Sequence, residues 1–469
     1  MQLIFLVFWV WFASLFICCI QKKNIKLIRE FSLFSSIIAL LCATSLFFNF
    51  ERLNLIYQHT YTFCSGTNIE VLISLDGLSI CFITLVSFIF PICFLSSWSI
   101  CFKVKELTIC LMLIYSILIL VFISLNIVIF FFFFECTLIP MFIIIGLWGA
   151  RYKKIKAAYY FFLYTLAGSL FMLFSILYIQ NLTGSVILIE LFEFNFTLYE
   201  EQILWVCFFF AFAIKVPMLP FHIWLPEAHV EAPTIGSVIL ASLLLKLGSY
   251  GFLRFSISLF PAASIYFTPL IYILSVTSIV YASMTAIRQI DLKRIIAYSS
   301  VAHMNIMILG LFSFNQIGIV GAIYLMVAHG IVSAALFFCV GVVYDRYHTR
   351  LIRYYGGLVQ VMPVFALVFF IFTIANMSFP GTSNFIGELL IFIGLLQANP
   401  VILIFSIFGV VLSATYSVWL FNRVVFGTLK IKYITMFIDL SRVEIFIFIP
   451  LIISMLILGL NSYILTAIL

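Results

Sequence analysis

The chain has 469 residues, 65% of them hydrophobic and only 9% charged, with a formal net charge of +7 at neutral pH. Soluble domains carry roughly a quarter charged residues, so a water-soluble globular protein is excluded and a polytopic membrane protein is selected. Apolar runs of about 20 residues, enough to cross a hydrocarbon core of about 30 Å, recur along the whole length. Backbone groups in lipid must be satisfied internally, which leaves helices or a closed barrel. Continuous apolar runs without period-two alternation select helices, so the expected fold class is all-α.

The first run, MQLIFLVFWVWFASLFICCI, lacks a basic leader, and its charges follow in QKKNIKLIRE. It reads as a retained first span rather than a signal peptide. No amphipathic Arg/Ser-rich transit segment precedes it, and the expectation is synthesis inside the compartment where the protein works. Spans are expected near residues 11, 40, 89, 115, 136, 168, 212, 243, 279, 303, 329, 380, 412 and 456, the one at 380 possible as two half-helices. That makes about 14 by the length criterion. The 11 cysteines are scattered through apolar runs with no C-x-x-C pair. They read as small packing residues, and no metal or iron–sulfur site is expected in this chain.

The loops between these spans divide the basic residues unequally. Odd-numbered loops hold 20 of the 24 lysines and arginines, even-numbered loops hold only Arg52 and Arg254, and Lys215 and Lys246 fall inside spans. Such a split is a positive-inside signal. It puts the odd loops on the cytoplasmic or matrix side and both termini on the other. A missed span would scramble the alternation beyond it. The acids Glu51, Glu70, Asp76, Glu190, Glu193, Glu200 and Glu201 fall on the outer side, where a solvated face accounts for them.

Six ionisable residues lie near the middle of spans: Glu135, Lys215, Lys246, His303, His329 and Glu388. Each costs about 2.5–3.5 kcal/mol at a span centre if charged and unpaired, on the order of 15 kcal/mol together. That is as large as a typical net stability of about 5–15 kcal/mol, so these groups must pair, neutralise or meet water. Residues of this kind mark ion or proton routes. Blander readings remain open for single members. A lone histidine can serve as a hydrogen bonder between helices, and a protonated Glu135 can bond a neighbour. As a set they hold acids and bases on six different spans. An opposing carboxylate about 4 Å from an ammonium supplies about 4 kcal/mol at an effective dielectric of 20, or about 3 units of proton affinity. Making or breaking one Glu–Lys pair is therefore enough to switch a proton, even against a 100 mV potential worth about 2.3 kcal/mol per charge.

Two of these residues adjoin interruptions. Pro217 and Pro220 follow Lys215 in AFAIKVPMLPFHIWLPEAHVEAP, and Pro380 and Gly381 precede Glu388 in ANMSFPGTSNFIGELL. Proline removes a helix hydrogen bond and kinks or breaks the span. A Pro-tolerant packing kink is one explanation. The other is a repeat: the broken spans are each fourth in a five-helix unit if the units are spans 4–8 and 9–13. An odd number of helices inverts the second copy, as in many transporters.

These residues support a resemblance. KVPMLPFHIWLPEAHVEAPTIGSVILASLLLKLGSYGFLRF (215–255), FFFFECTLIPMFIIIGLWGARYKKIKAAYYFFLYTLAGS (131–169), DLKRIIAYSSVAHMN (291–305) and MSFPGTSNFIGE (377–388) resemble the antiporter-like subunits of respiratory complex I and of Mrp-type cation/proton antiporters. The second stretch favours the complex I branch. The resemblance covers roughly residues 76–430 and is weakest at both ends.

It implies 14 transmembrane helices with two inverted five-helix repeats and two broken helices. The corresponding divisions are residues 1–106 for helices 1–3, 107–260 and 261–430 for the repeats, and 431–469 for the last helix. It implies a subunit that translocates protons while other subunits pass electrons from NADH to ubiquinone. Glu135 would be the acid partner of Lys215, Lys246 the central relay, and His303 and His329 the axis toward Glu388 at the outlet. His222, Glu227 and His229 would support the broken helix along the proton path, and Asp291, Lys293 and Arg294 match a charged turn on the basic side. The chain itself would hold no cofactor; NADH, FMN, iron–sulfur clusters and ubiquinone would belong to other subunits. Expected partners are other membrane-arm subunits, including two neighbouring antiporter-like subunits, and membrane lipids, with no nucleic acid. The expected location is the mitochondrial inner membrane, with both termini on the intermembrane-space side. Two readings stay open beside this one: an Mrp-type antiporter subunit without a redox partner, and a scaffold that keeps polar residues for packing.

Overall fold

The computed structural model describes residues 1–50, 57–63, 71–430, 433 and 438–468. Glu51, Arg52, Glu70 and Lys432, which enter the charge count, lie outside the described residues. Among the described residues, twelve helices are long and apolar enough to cross a membrane, and the protein is a multi-pass helical membrane protein. Two expected spans are not among the twelve, and they are the two that the prolines interrupt. Leu198–Lys215 carries Glu200, Glu201 and Lys215 within 18 residues. The other is split into Pro363–Asn376 and Ser383–Ala398. A total of 14 requires both interrupted segments to cross as well.

The chain divides into two compact units. The first comprises Met1–Lys215, Tyr250–Tyr266 and Ala467–Leu469. Its helices include Gln2–Cys19, Ile25–Phe48, Gly77–Ser96, Val104–Ile123, Lys154–Thr183 and Leu198–Lys215. An unanticipated antiparallel hairpin, Gln58–Phe63 with Val71–Leu75, pairs Tyr61 with Ile73 and Thr62 with Leu72. The β-branched Val71 and Ile73 in VLISL suit a strand better than a loop. Asp76 ends the hairpin and opens the next helix with a capping box, its carboxylate accepting from the Ser79 N–H at 2.9 Å while Ser79 Oγ accepts from the Asp76 N–H at 2.8 Å. The span at 127–148 is two helices, Ile127–Cys136 and Leu138–Trp148, joined at Thr137. Pro140 cannot donate to the carbonyl of residue 136, so the helix loosens one residue beyond Glu135.

The second unit comprises Val216–Ser249 and Phe267–Thr466. It is built round Gln316–Tyr347, a helix of 32 residues, about 48 Å long at 1.5 Å per residue. Leu292–Leu311 and Ser383–Ala398 pack against it. The approach to Ser383–Ala398 is close because of glycine: a Cβ at Gly387 would stand 2.8–2.9 Å from Leu325, and one at Gly321 would stand 2.7 Å from Leu390. Small residues of this kind let membrane helices meet backbone to backbone.

Both interruptions follow their sequence signals. After Lys215 the chain runs through Pro217, a cis Leu219–Pro220 bond and a short 3-10 turn at Phe221–Ile223 into the helix Trp224–Glu231. The Leu219 N–H, which has no helical acceptor here, donates to Ser278 Oγ at 2.9 Å. The second break holds Gly381 at φ +96°, a backbone conformation that glycine adopts without a Cβ clash.

Candidate functional site

In the first unit the loosened helix and the broken helix carry Glu135 and Lys215. Lys215 is 2% exposed, and its Nζ has no hydrogen-bond partner among the described residues. The ammonium lies over the ring of Phe134, 4.6 Å from its centroid, with Phe161 at 5.8 Å. Glu135 is within Coulombic reach of this charge and beside Ser169, yet its Oε1 is also without a partner among the described residues. The expected acid–base pair is therefore brought together but not closed. The lysine rests on the aromatic residue preceding its acid.

In the second unit four titratable side chains form one run. Lys246 is fully buried, and its Nζ donates to the Ala241 carbonyl at 2.6 Å and meets His329 Nδ1 at 2.9 Å. It follows a π-helical stretch, Leu240–Leu244, a distortion frequent at functional sites. The His329 and His303 rings are 5.5 Å apart between centroids. His303 Nδ1 meets Glu388 Oε1 at 2.9 Å. An ammonium only donates and a carboxylate only accepts. With Lys246 as an ammonium and Glu388 as a carboxylate, Nδ1 of His329 accepts and Nδ1 of His303 donates. With neutral rings, His329 then carries its proton on Nε2 and His303 presents a bare Nε2. Neither Nε2 has another partner among the described residues. With the rings 5.5 Å apart between centroids, one Nε2 is a donor and the other an acceptor.

The remaining expected residues separate. His229 is fully buried, its ring stacked on Phe337 at 4.7 Å with both nitrogens unpartnered among the described residues. His222 is buried against the rings of Tyr281 and Tyr298. Glu227 instead makes a half-exposed ion pair with Arg294 at 2.6 Å, which anchors the short helix after the break. Sequence reasoning passed over two features. One is the ring of Phe134, which a run of five phenylalanines cannot single out. The other is that Asp291 and Lys293, which the resemblance matches only to a charged turn, lie buried in one group with Glu231 and Arg350.

Two broken helices, acids and bases buried at mid-span, and a lysine–histidine–glutamate run define an antiporter-like, proton-handling membrane protein. Residues 124–413 match the family described as NADH:quinone oxidoreductase/Mrp antiporter, TM. The chain belongs to this family. A relative from Marchantia polymorpha named NADH-ubiquinone oxidoreductase chain 4 is 52% identical over 450 residues, covering 95% of this chain and 91% of its own length. A chain of respiratory complex I from Thermus thermophilus is 27% identical with a TM-score of 0.88, over 100% of this chain and 98% of that one. A chain of the Mrp complex from Dietzia has the same fold at 17% identity and a TM-score of 0.88, covering 100% of this chain and 95% of that one.

Proposed function

We propose that the chain is the proton-translocating membrane-arm subunit of a respiratory NADH:ubiquinone oxidoreductase, corresponding to the relatives named chain 4. The observation that carries this reading is the buried run Lys246–His329–His303–Glu388, with its two contacts of 2.9 Å. In the proposed sequence, closing the Glu135–Lys215 pair draws Lys215 off its ring and retains its proton, and opening the pair releases it. Lys246, the two histidines and Glu388 carry a proton toward the outlet. His229 and His222 belong to the same buried polar surface, and Glu227 supports the broken helix. The broken helices would be the fourth members of two inverted repeats, residues 107–260 and 261–430.

Electron transfer from NADH to ubiquinone would take place in other subunits, which would hold the FMN and iron–sulfur clusters. The supporting feature is a sequence without a Gly-rich dinucleotide fingerprint or a C-x-x-C pair. Other membrane-arm subunits, including two antiporter-like neighbours, would flank this one in the mitochondrial inner membrane. The charge asymmetry supports both termini on the intermembrane-space side. The 52% identity to a relative named for the oxidoreductase favours this reading over an Mrp-type subunit.

The test is Glu388→Gln in the assembled complex, with proton pumping and NADH oxidation measured on the same vesicles. Glutamine keeps the volume and an acceptor for His303 but cannot take the proton. A fall in protons moved per NADH supports the reading. An unchanged ratio in a fully assembled complex reduces these residues to packing.

A further inference from the structure

The buried charges outside this run lie at the end of the second unit where two basic loops meet. Asp291 and Leu351 form an isolated β-bridge, Leu292 N–H donates to the Arg350 carbonyl at 2.9 Å, and Ile352 N–H donates to the Ile290 carbonyl at 3.0 Å. Against this clasp ends the short helix Trp224–Glu231. Arg350 donates to the Val230 carbonyl and stands 3.8 Å from both Glu231 and Asp291. Lys293 Nζ donates to the Ala232 carbonyl at 2.8 Å and to Ser237 Oγ at 3.2 Å. Cations at the last carbonyls of a helix stabilise its end, and that explains Arg350. One guanidinium with five donors is enough for a two-carbonyl end, so a second buried cation, 2% exposed, calls for another explanation.

The neighbours of Lys293 suggest one. The charged groups facing it are Arg350, Asp291, Asp345 and Glu231. Across Ser237, which donates to the His229 carbonyl at 3.1 Å, lies His229. Its imidazole is fully buried and unpartnered among the described residues, and it stands within Coulombic reach of both Lys293 and Lys246. The hydroxyl of Ser237 thus joins Lys293 to the His229 backbone, and the charges of Lys293 and Lys246 both act on the buried ring.

We infer that Lys293 is the loading residue of the relay: it takes a proton from the basic-loop side and delivers it through the His229 imidazole to Lys246. One proton moves in each step. The Lys293 ammonium gives its proton to a neutral His229, which passes it to a neutral Lys246, and Lys293 is reprotonated from the basic side. Arg350 is the positioning residue, because it ties Glu231 and Asp291 round the lysine and leaves Lys293 as the group able to change charge. This inference rests on the relay proposed above.

The test compares Lys293→Arg with Lys293→His in the assembled complex, reading protons moved per NADH per assembled complex. Arginine keeps the cation and its carbonyl contacts but does not deprotonate; histidine titrates but is too short to cap the helix. A loading role predicts that Lys293→Arg assembles and loses pumping while Lys293→His retains part of it. A cap predicts the reverse, and wild-type pumping by Lys293→Arg overturns the inference. Should neither variant accumulate, Ser237→Ala carries the test. It removes the hydroxyl that joins Lys293 to the His229 backbone and leaves the contact to the Ala232 carbonyl. Slowed proton uptake is expected, and wild-type uptake overturns the inference. Lys246→Ala serves as the reference: if it pumps normally, the relay itself fails, whereas a dead Lys246→Ala beside a normal Lys293→Arg defeats only the loading role.

Discussion

Replacing Phe134 with leucine tests whether Lys215 uses two seats. The ammonium lies 4.6 Å from the Phe134 ring centroid, with the lysine 2% exposed and the ring fully buried. A desolvated cation–π contact is worth about 2 kcal/mol. Leucine keeps an apolar side chain there but removes the quadrupole, so the ring-seated state loses about 2 kcal/mol relative to the state paired with Glu135. At 1.36 kcal/mol per decade this shifts the balance about 30-fold toward the closed pair. A lysine held on its carboxylate releases its proton rarely, so protons moved per NADH should fall. Phe134→Tyr, which keeps the ring face, should retain coupling. The assay is initial-rate NADH oxidation with simultaneous proton uptake in vesicles containing assembled complex. Phe134→Leu pumping at the wild-type ratio, or Phe134→Tyr as impaired as Phe134→Leu, would refute the two-seat account.

Three further substitutions probe the scaffold. Gly387→Ala places a carbon 2.8–2.9 Å from Leu325; overpacking costs about 1–3 kcal/mol, and pushing Glu388 off His303 should lower both the melting temperature of the complex and its pumping. Asp76→Asn breaks a buried ion pair with Arg254 and should destabilise by about 3–5 kcal/mol, while the double replacement Asp76→Leu with Arg254→Met recovers much of the loss, as read by thermal inactivation. Glu227→Gln removes a half-exposed pair with Arg294, and its effect on the same inactivation curve should stay below about 1 kcal/mol.

The breaks were legible because proline acts locally. Pro217, Pro220 and Pro380 remove donors wherever the chain goes, and the structure interrupts both helices at those residues. The mid-span acids and bases were legible because solvation energy depends on depth in an apolar run, which the sequence displays. Their order was not. His303 and Glu388 are 85 positions apart, as Lys246 and His329 are 83, and adjacency over such separations is decided by how four different helices pack. Lys293 and Arg350 were hidden for a different reason. A charge count treats every loop cation alike, whereas folding buries these two beneath the loops. The strands Gln58–Phe63 and Val71–Leu75 escaped because six and five residues are too few to stand out beside long apolar runs.

The two mid-span lysines meet the same electrostatic cost in different ways, and the difference bears on their roles. An unpaired cation at a span centre costs about 2.5–3.5 kcal/mol on insertion scales. Lys246 offsets it with directional bonds, to the Ala241 carbonyl and to His329, each hydrogen bond to a charged group being worth about 1.5–3 kcal/mol. That geometry fixes the ammonium, and in the proposed relay the acceptor ring takes its proton. Lys215 offsets the same cost with aromatic faces and a carboxylate within Coulombic reach. Neither attraction is strongly directional, so the ammonium can slide between them at little cost. Phe134 and Glu135 lie on the same side of the joint at Thr137, so a displacement there would carry both past the lysine together. The seat built from non-directional forces is therefore suited to respond to motion, and the seat built from hydrogen bonds is suited to pass a proton on.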